Sequence, residues 1–232
     1  MPPQKPLPPG QREIDKFPRF GLSPYARRFK TEFDPLSLVI SGDVQDNLTI
    51  TATELTALPR IRQQSDFHCV TTWTKRGLHW SGFRFRDFFQ QIVQPQAMPA
   101  KDIKLVIFRS QDGYRASLPL ADALAEDVLL ADTLDNMPLT ATHGAPLRLI
   151  APAHYGYKNA KHIKAIEFWE DDSKFRGPAL GFMIHPRGRV AFEERGTGVP
   201  GWLLRYLYRP LIKPTIRQFE RAEKEKIAES KH

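Results

Sequence analysis

The single cysteine, Cys69, is the residue whose chemical type most restricts what this chain could do. A thiolate is a soft ligand that suits a redox-active metal, whereas a protonated thiol in apolar surroundings is an inert core residue. With one cysteine in 232 residues no intramolecular disulfide can form, which suits a reducing compartment. The residue type alone leaves both a metal ligand and a small buried hydrophobe open, and the second is the commoner fate of a lone cysteine.

Other residue patterns that carry well-known chemistry are absent from the sequence. The seven histidines are scattered, with no HExxH pattern and no paired cysteine and histidine spacing of the zinc-site type. There is no P-loop, no GxGxxG turn and no nucleophile elbow for a serine triad. Generic motifs therefore indicate no chemistry, and the segment around Cys69 is the remaining candidate.

Two segments, one that contains this cysteine and one that follows it, carry a family resemblance. They read DFHCVTTW at residues 66–73 and WSGFRFRDF at residues 80–88. They resemble the cysteine segment of the sulfite oxidase family, in which Cys-Val is followed by a Trp and then by Trp-x-Gly, alternating hydrophobic residues and an Asp. The resemblance identifies Cys69 as the protein ligand of a molybdenum ion.

Further motifs follow in the family's order. They are DGYRASLPL at residues 112–120, HGAPLRLIAP at residues 143–152 and GYKNAKHI at residues 156–163. Together with the cysteine segment they extend the resemblance over residues 17–168. Several motifs in the right order at plausible spacing are more specific than any one of them. The interpretation of Cys69 as a small buried hydrophobe is therefore no longer favoured.

The resemblance implies two cofactor components, molybdenum and the pyranopterin molybdopterin. The metal is held by the dithiolene sulfurs of the pterin and one protein thiolate, and a soft thiolate suits such a metal. The pterin ends in a phosphate, which favours fixed positive charge and backbone donors. The positions that match cofactor contacts are His68, Ser110, His143, Arg148, Lys158, Asn159, Ala160 and Lys161.

Three further residues are predicted to act on the substrate beside Cys69. Arg19 stands roughly where the family has a substrate-binding arginine, although the family's following Asn-His is missing. Phe182 takes the place of an active-site tyrosine and lacks its hydroxyl, which disfavours sulfite as the substrate. His185 is near enough in sequence to replace that hydroxyl.

The function implied is two-electron oxygen-atom transfer on a small sulfur oxyanion or an S- or N-oxide. A dedicated sulfoxide reductase is a second enzymatic interpretation. Because the sequence shows no haem domain and no immunoglobulin-like dimerisation domain, we expect a separate electron-transfer protein as partner. The interpretation from another class is a basic module that binds an anionic partner, a membrane surface or nucleic acid without metal catalysis.

Charge and hydropathy limit the partners. The net charge is +8, and from residue 203 onward eight Lys or Arg stand against four Glu, which gives +4. No nucleic-acid motif accompanies this charge, so nucleic acid is not expected as a partner. Residues 202–212 are apolar and aromatic, so peripheral contact with a membrane stays open as an alternative. The N-terminus has no apolar core typical of a signal peptide, and no run approaches a membrane span of about 18–20 residues. We therefore expect a cytoplasmic protein.

The pattern of strands and helices expected around these residues predicts a mixed α+β fold. Strands are expected at residues 36–40, 104–109, 147–152 and 163–168, with no regular strand–helix alternation. Helices are expected at residues 53–58, from about residue 82 to Pro95, and at residues 117–125. The resemblance specifies a mixed-sheet sulfite oxidase-like molybdopterin-binding fold.

Three regions are predicted along the chain: a flexible Pro-rich arm at residues 1–16, a catalytic domain at residues 17–199 and a basic helical extension at residues 200–232. In the extension, Pro210 and Pro214 are expected to break the apolar segment before a charged helix at residues 216–230. We expect this helix to pack back on the body through a thin apolar stripe that includes Phe219.

Overall fold

The structure, a computed structural model, describes residues 6–28, 31–33 and 35–229. The first five residues of the predicted arm and residues 230–232 of the predicted extension lie outside the described residues.

Two sheets form the body. The first holds six strands, in which β5 is central: it pairs with β1, β4 and β8, and β8 in turn pairs with β9 and β10. Its strands are β1 Arg12–Glu13, β4 Arg60–His68, β5 Trp73–Arg84, β8 Leu129–Leu134, β9 Met137–Pro138 and β10 Arg148–Ile150.

The second sheet holds five strands in the order β3-β2-β11-β6-β7. They are β2 Ser37–Gly42, β3 Leu48–Thr51, β6 Leu105–Ser110, β7 Arg115–Pro119 and β11 Ile163–Trp169. The β2–β11 pair is parallel and the others are antiparallel. The mixed-sheet α+β prediction is confirmed.

The main core lies where side chains of the two sheets meet. Leu38 and Ile40 alternate inward from β2, and they share one apolar cluster with Phe83 of β5, Phe108 of β6 and Leu130 of β8. This period of two is what a half-buried strand requires. Full burial of each such side chain is worth about 1.5–3 kcal/mol.

Gly82, the glycine of the Trp-x-Gly motif, is where β5 comes closest to β8. A Cβ placed there would lie 2.1 Å from the carbonyl oxygen of Leu130 and 2.6 Å from the Cα of Ala131. The pairing register of the two strands shifts between Ser81 and Gly82. Glycine is therefore needed for backbone approach, which explains this part of the motif physically.

Helices are short except at the C-terminus. They are α1 Ser23–Ala26, α2 Ala52–Thr56, α3 Phe85–Phe88, a π turn Phe89–Val93, α4 Gln94–Ala97, α5 Leu120–Ala123, α6 Gly201–Tyr208 and α7 Ile212–Glu229, with 3₁₀ turns at Ala141–His143, Gly156–Lys158, Asp172–Lys174, Gly181–Met183 and Arg209–Leu211. Thr51 and Glu54 form a capping box at the start of α2, as that predicted helix needs.

The helix predicted at residues 117–125 was wrong in its first half. Residues 115–119 form β7, and only Leu120–Ala123 is helical. Ala116 and Leu118 pair with Phe108 and Val106 of β6 and are buried in the main core. Pairing with a neighbouring strand overrides the local preference, which the sequence window alone does not contain.

The predicted break at Pro214 was also wrong. The helix α7 begins at Ile212, so Pro214 stands in its first turn, where the missing N–H would have had no helical acceptor. The predicted packing against the body is confirmed, because Phe219 and Ala222 are buried against Ala26 of α1.

The N-terminal segment before residue 17 contacts the first sheet. Arg12–Glu13 pairs in parallel with Trp73 and Thr74, and Gln11 is buried. The boundary between arm and catalytic domain at residue 16 stays a prediction. Among the described residues, no helix has the length and apolar character that crossing a bilayer would demand.

Candidate active site

A tight turn between β4 and β5 holds Cys69. The Cys69 N–H donates to the Trp73 carbonyl at 2.8 Å, and the Thr72 N–H donates to the Cys69 carbonyl at 3.1 Å. Thr72 takes the left-handed region with φ of 85°, which closes the turn. The thiol is 6% exposed and faces a cavity.

Residues far away in sequence fix this turn. Gln11 Nε2 donates to the Cys69 carbonyl at 3.1 Å, and the Gln11 Oε1 accepts from Thr74 Oγ1 at 3.0 Å. Arg195, which is fully buried, donates through Nη1 to the Val70 carbonyl. Gln11 and Arg195 were not predicted as site residues, and no sequence motif marks either of them.

Burial sets the protonation of the thiol in the protein alone. Desolvation raises the pKa of Cys69 to about 11, against the lowering effects of the Thr71 hydroxyl and the Arg195 charge. The Thr71 Oγ1 lies 3.1 Å from the Cys69 Sγ. The group is thus a neutral thiol near neutral pH, and a bound metal would displace its proton.

The cavity in front of Cys69 has a volume of about 260 Å³. It brings together five predicted site residues: Arg19, Cys69, Ser110, Asn159 and Lys161. Its wall also includes residues that were not predicted, among them Thr71, Asp112, Tyr114, Tyr157, His162, Tyr208 and Phe219. Residues from the N-terminal segment, both sheets and the C-terminal helices therefore meet at one place.

Arg148 lies buried beside this cavity. Its Nη1 donates to the His143 carbonyl at 2.7 Å, and its guanidinium lies 4.8 Å from the Trp80 ring centre. Its Nε and Nη2 have no hydrogen-bond partner among the described residues. Desolvation lowers the pKa of Arg148 to about 9. A buried guanidinium with free donors is costly unless an anion reaches it.

Lys161 is a second cation near Arg148, and Gly144 lies against both side chains. A Cβ on Gly144 would lie 3.1 Å from the Cβ atoms of both residues. Lys161 Nζ donates to the Thr142 carbonyl at 2.8 Å. Desolvation, followed by the charges of Arg148 and Arg19, lowers the pKa of Lys161 to about 7. His143 Nδ1 and Ser110 Oγ are also buried without a partner in the described part of the chain.

Four other predicted cofactor residues have different surroundings. Lys158 Nζ donates to the carbonyls of Ser117 at 2.8 Å and Pro186 at 2.5 Å, and it is not among the cavity-lining residues. Asn159 Oδ1 accepts from the Ala151 N–H at 2.7 Å, which shapes the loop. Ala160 is part of the main core. His68 Nδ1 lies 2.8 Å from Thr74 Oγ1, next to the Gln11 bond.

Arg19 lines the cavity, where it donates to carbonyls at the C-terminal end of α1. Its Nη2 donates to the carbonyls of Tyr25 at 3.2 Å and Ala26 at 3.1 Å, and its guanidinium lies 4.8 Å from the Phe219 ring centre. Desolvation is the largest effect on its pKa and lowers it. This places a positive charge in the cavity wall, and the substrate-binding role of Arg19 stays a prediction.

Phe182 and His185 are not brought to the cavity wall. Phe182 is 45% exposed, and His185 Nδ1 accepts from the N–H groups of Arg187 and Gly188 at 3.2 and 3.1 Å. A hydroxyl comes instead from Tyr208 of α6, which lines the cavity while its Oη is buried with no partner among the described residues. No sequence signal pointed to Tyr208.

These groups fit a ligand with a soft metal and an anionic end. Cys69 is the soft donor, and Arg148, Lys161, His143 and Ser110 offer positive charge or free polar atoms. The described residues contain no group of three or more His, Cys, Asp or Glu placed to hold a metal ion. A dithiolene pterin brings its own sulfur donors, so with such a ligand the metal would need only one protein thiolate.

Comparison with known proteins identifies relatives of the chain. Residues 27–176 match the model of the oxidoreductase molybdopterin binding domain. The uncharacterized oxidoreductase YuiH of Bacillus subtilis is 32% identical over 193 residues, covering 82% of this chain and 92% of that protein. The protein-methionine-sulfoxide reductase catalytic subunit MsrP of Campylobacter jejuni is 29% identical over 188 residues, covering 68% of this chain.

A solved structure shares the fold. The sulfane dehydrogenase SoxCD of Paracoccus pantotrophus superposes with a TM-score of 0.54 at 19% identity, over 66% of this chain. The chain spans 61% of the length of MsrP and 43% of the SoxCD chain, so both proteins contain segments without a counterpart in the match.

Proposed function

This chain belongs to the family of oxidoreductase molybdopterin-binding domains, the sulfite oxidase family, and from this membership we propose that it catalyses two-electron oxygen-atom transfer on a small sulfur oxyanion or an S- or N-oxide. The family cofactor is molybdopterin with molybdenum. When bound, it supplies the two-electron change that this transfer needs. Every other part of the reaction falls to the protein.

The observation that carries the proposal is that Cys69 and Lys161 line one cavity and that Arg148 is buried beside it, with two guanidinium nitrogens that have no hydrogen-bond partner among the described residues. Cys69 would be the metal's protein ligand, and its proton leaves when the metal binds. Arg148 and Lys161, with the free atoms of His143 and Ser110, would hold the phosphate end. Asn159 supports the loop between them, and Gln11 and Arg195 keep the cysteine turn in place.

Two side chains are suited to the substrate. Arg19 places a guanidinium in the cavity wall, where it would attract an oxyanion and orient it. Tyr208 offers a buried hydroxyl that would donate to a substrate oxygen. Phe182 and His185 remain proposals from sequence that the cavity lining does not support.

The name of one relative supports a sulfur substrate and a partner. MsrP is a protein-methionine-sulfoxide reductase catalytic subunit, so its name implies an S-oxide substrate and at least one other subunit. For this chain we propose an S-oxide as the first substrate class to examine and a separate electron-transfer protein as partner. We also propose a cytoplasmic location.

The test is metal content and metal environment in protein from a cofactor-competent host. We expect near-stoichiometric molybdenum by mass spectrometry and oxidation of a reduced viologen dye with an added sulfoxide. In Cys69→Ser the X-ray absorption signal should lose one sulfur neighbour, and turnover should fall by at least about 100-fold, because the thiolate is replaced by a hard ligand.

Thr71→Val is the matched control. It removes the hydroxyl 3.1 Å from the Cys69 Sγ but keeps the thiol, so the metal's sulfur count should not change. Wild-type protein that contains neither molybdenum nor pterin would contradict the proposal. An unchanged sulfur count in Cys69→Ser would contradict the assignment of Cys69 alone.

A further inference from the structure

The helix α6 carries apolar side chains on both of its faces. Leu204 and Tyr208 face the body and are buried. On the opposite face, Trp202 is 55% exposed, Leu203 40%, Tyr206 56% and Leu207 59%, and they are followed by Leu211 at 48%. We name these five exposed residues the α6 patch. Contiguous exposed apolar side chains of this size mark an interaction surface, since single exposed residues are ordinary but such a group is not.

The segment that carries the patch is rich in positively charged residues. Residues 201–219 contain four basic residues and no acidic residue. The basic residues, Arg205, Arg209, Lys213 and Arg217, recur every four positions. The guanidinium groups of Arg205 and Arg209 lie 5.6 and 5.4 Å from the Tyr206 ring centre.

Most of this charge is available to a partner. Arg205 lies 3.5 Å from the carboxylate of Glu193. Within the described residues, no carboxylate lies within 4.0 Å of Arg209, Lys213 or Arg217, and Lys213 and Arg217 are exposed. An anionic partner would therefore meet at least three cations that no carboxylate of the described chain neutralises.

The combination indicates which partner fits. Trp and Tyr are favoured at the membrane–water interface, Leu side chains enter the acyl boundary, and Arg and Lys attract anionic headgroups. An acidic protein would match the cations, but it would not account for five large exposed apolar residues beside them. No described helix is long and apolar enough to cross a membrane, so the contact would be peripheral.

We infer that the α6 patch docks this protein on an anionic phospholipid surface. Leu211 belongs to the patch and also lines the cavity of the candidate active site, as does Tyr208 on the same helix. The docked face therefore borders the cavity. This inference does not depend on the proposed reaction.

The experiment is co-sedimentation of the full chain with vesicles. One set contains phosphatidylcholine alone, and the other contains about 30 mol% phosphatidylglycerol. We expect sedimentation with the second set only, and its loss in about 1 M salt, where the Debye length is about 3 Å. The triple variant Arg209→Gln, Lys213→Gln, Arg217→Gln should bind on the order of 100-fold more weakly, because each charge contributes about fivefold.

Two further variants separate specific docking from general charge. Trp202→Ser with Leu207→Ser should also weaken binding at least about tenfold, while both residues are too exposed to be needed for folding. The control, Lys101→Gln with Lys104→Gln and Lys164→Gln, removes the same charge from exposed positions outside the patch and should bind like the wild type. Circular dichroism checks that each variant is folded.

Three results would overturn the inference. The first is wild-type protein that stays in the supernatant with both vesicle sets. The second is an equal loss of binding in the lysine control and the patch triple variant, which would mean charge attraction without a site. The third is vesicle binding that the Trp202 and Leu207 variant leaves unchanged.

Discussion

The number of hydrogen-bond partners distinguishes the buried cations of the site region from one another. Arg148 and Lys158 are both fully buried cations, but their surroundings differ. Lys158 donates hydrogen bonds to two backbone carbonyls, so it stabilises the loop. Arg148 keeps two nitrogen atoms free, so it is prepared for a ligand. The number of satisfied donors, more than the charge itself, separates a structural cation from a binding one.

A pH-dependent anion affinity follows for Lys161. Its pKa of about 7 means that the ammonium is mostly protonated at pH 6 and mostly neutral at pH 8. Sulfate keeps its double charge over this range, so its affinity for the cofactor-free protein should be roughly tenfold higher at pH 6 than at pH 8. The measurement is the shift of the melting temperature with millimolar sulfate at each pH.

The control for this prediction is Lys161→Met, in which most of the difference between the two pH values should be lost. Burial also lowers the pKa of Lys158 to about 7, but its ammonium donates to the Ser117 and Pro186 carbonyls and does not line the cavity. The pKa values of His143 and His162 are lowered to about 4 by burial, so neither group changes its charge between pH 6 and pH 8. Equal sulfate affinity at both pH values in the wild type would contradict the assignment of Lys161 to anion binding.

At the scale of elements, the site depends on how β5 leaves the cysteine turn and crosses the sheet. Beside the turn the strand pairs with β4 and with β1, and at its far end, residues 80–84, it pairs with β8. The close approach at Gly82 sets the register of β8, and β8 in turn pairs with β10, where Arg148 stands. Gly82 therefore couples the position of the strand that follows Cys69 to the position of Arg148.

Substitution of this glycine should destabilise the protein strongly. In Gly82→Ala the new methyl group would collide with backbone atoms of β8, and backbone cannot move aside as a flexible side chain can. We expect a loss of about 3 kcal/mol or more in the free energy of unfolding, measured by urea denaturation. Gly181→Ala is the matched control, since nothing lies within 4 Å of its Cβ position, and it should change stability by less than about 0.5 kcal/mol. Equal midpoints would refute the close-approach argument.

For the whole molecule, the two ends of the chain close one cavity. Arg19 from the N-terminal segment is held by carbonyls of α1 and by the Phe219 ring of α7. Tyr208, Leu211, Thr215 and Phe219 supply one wall. The C-terminal extension is thus part of the candidate active site, and the same extension carries the lipid-facing patch on its outer side.

Loss of the Phe219 ring should loosen this closure. Phe219 is 3% exposed, so Phe219→Ala leaves a space in the packing and should lower the free energy of unfolding by about 3 kcal/mol. Because Arg19 also loses its ring contact, molybdenum should leave the loaded protein faster during dialysis. Leu207→Ala, at an exposed position of α6, should change neither quantity appreciably. Unaltered stability in Phe219→Ala would mean that α7 does not hold the cavity closed.

The family, the cofactor and several strands could be predicted from local patterns of residues. Short-range signals carry these features: the motif around Cys69, the alternating apolar residues of β2 and the capping box of α2 lie within windows of a few residues. Of the predicted site residues, Arg19, Cys69, Ser110, Asn159 and Lys161 line one cavity, and their roles stay predictions.

The remaining features of the fold and of the cavity wall depend on contacts between residues far apart in sequence. Whether residues 115–119 are strand or helix depends on β6 as a neighbour, and Gln11 and Arg195 reach the cysteine turn across 58 and 125 residues. Tyr208 lines the cavity whereas Phe182 and His185 do not, and this depends on where α6 packs. Side-chain burial and hydrogen bonding at long sequence separation are set by the packing of whole elements, and no local pattern of residues encodes them.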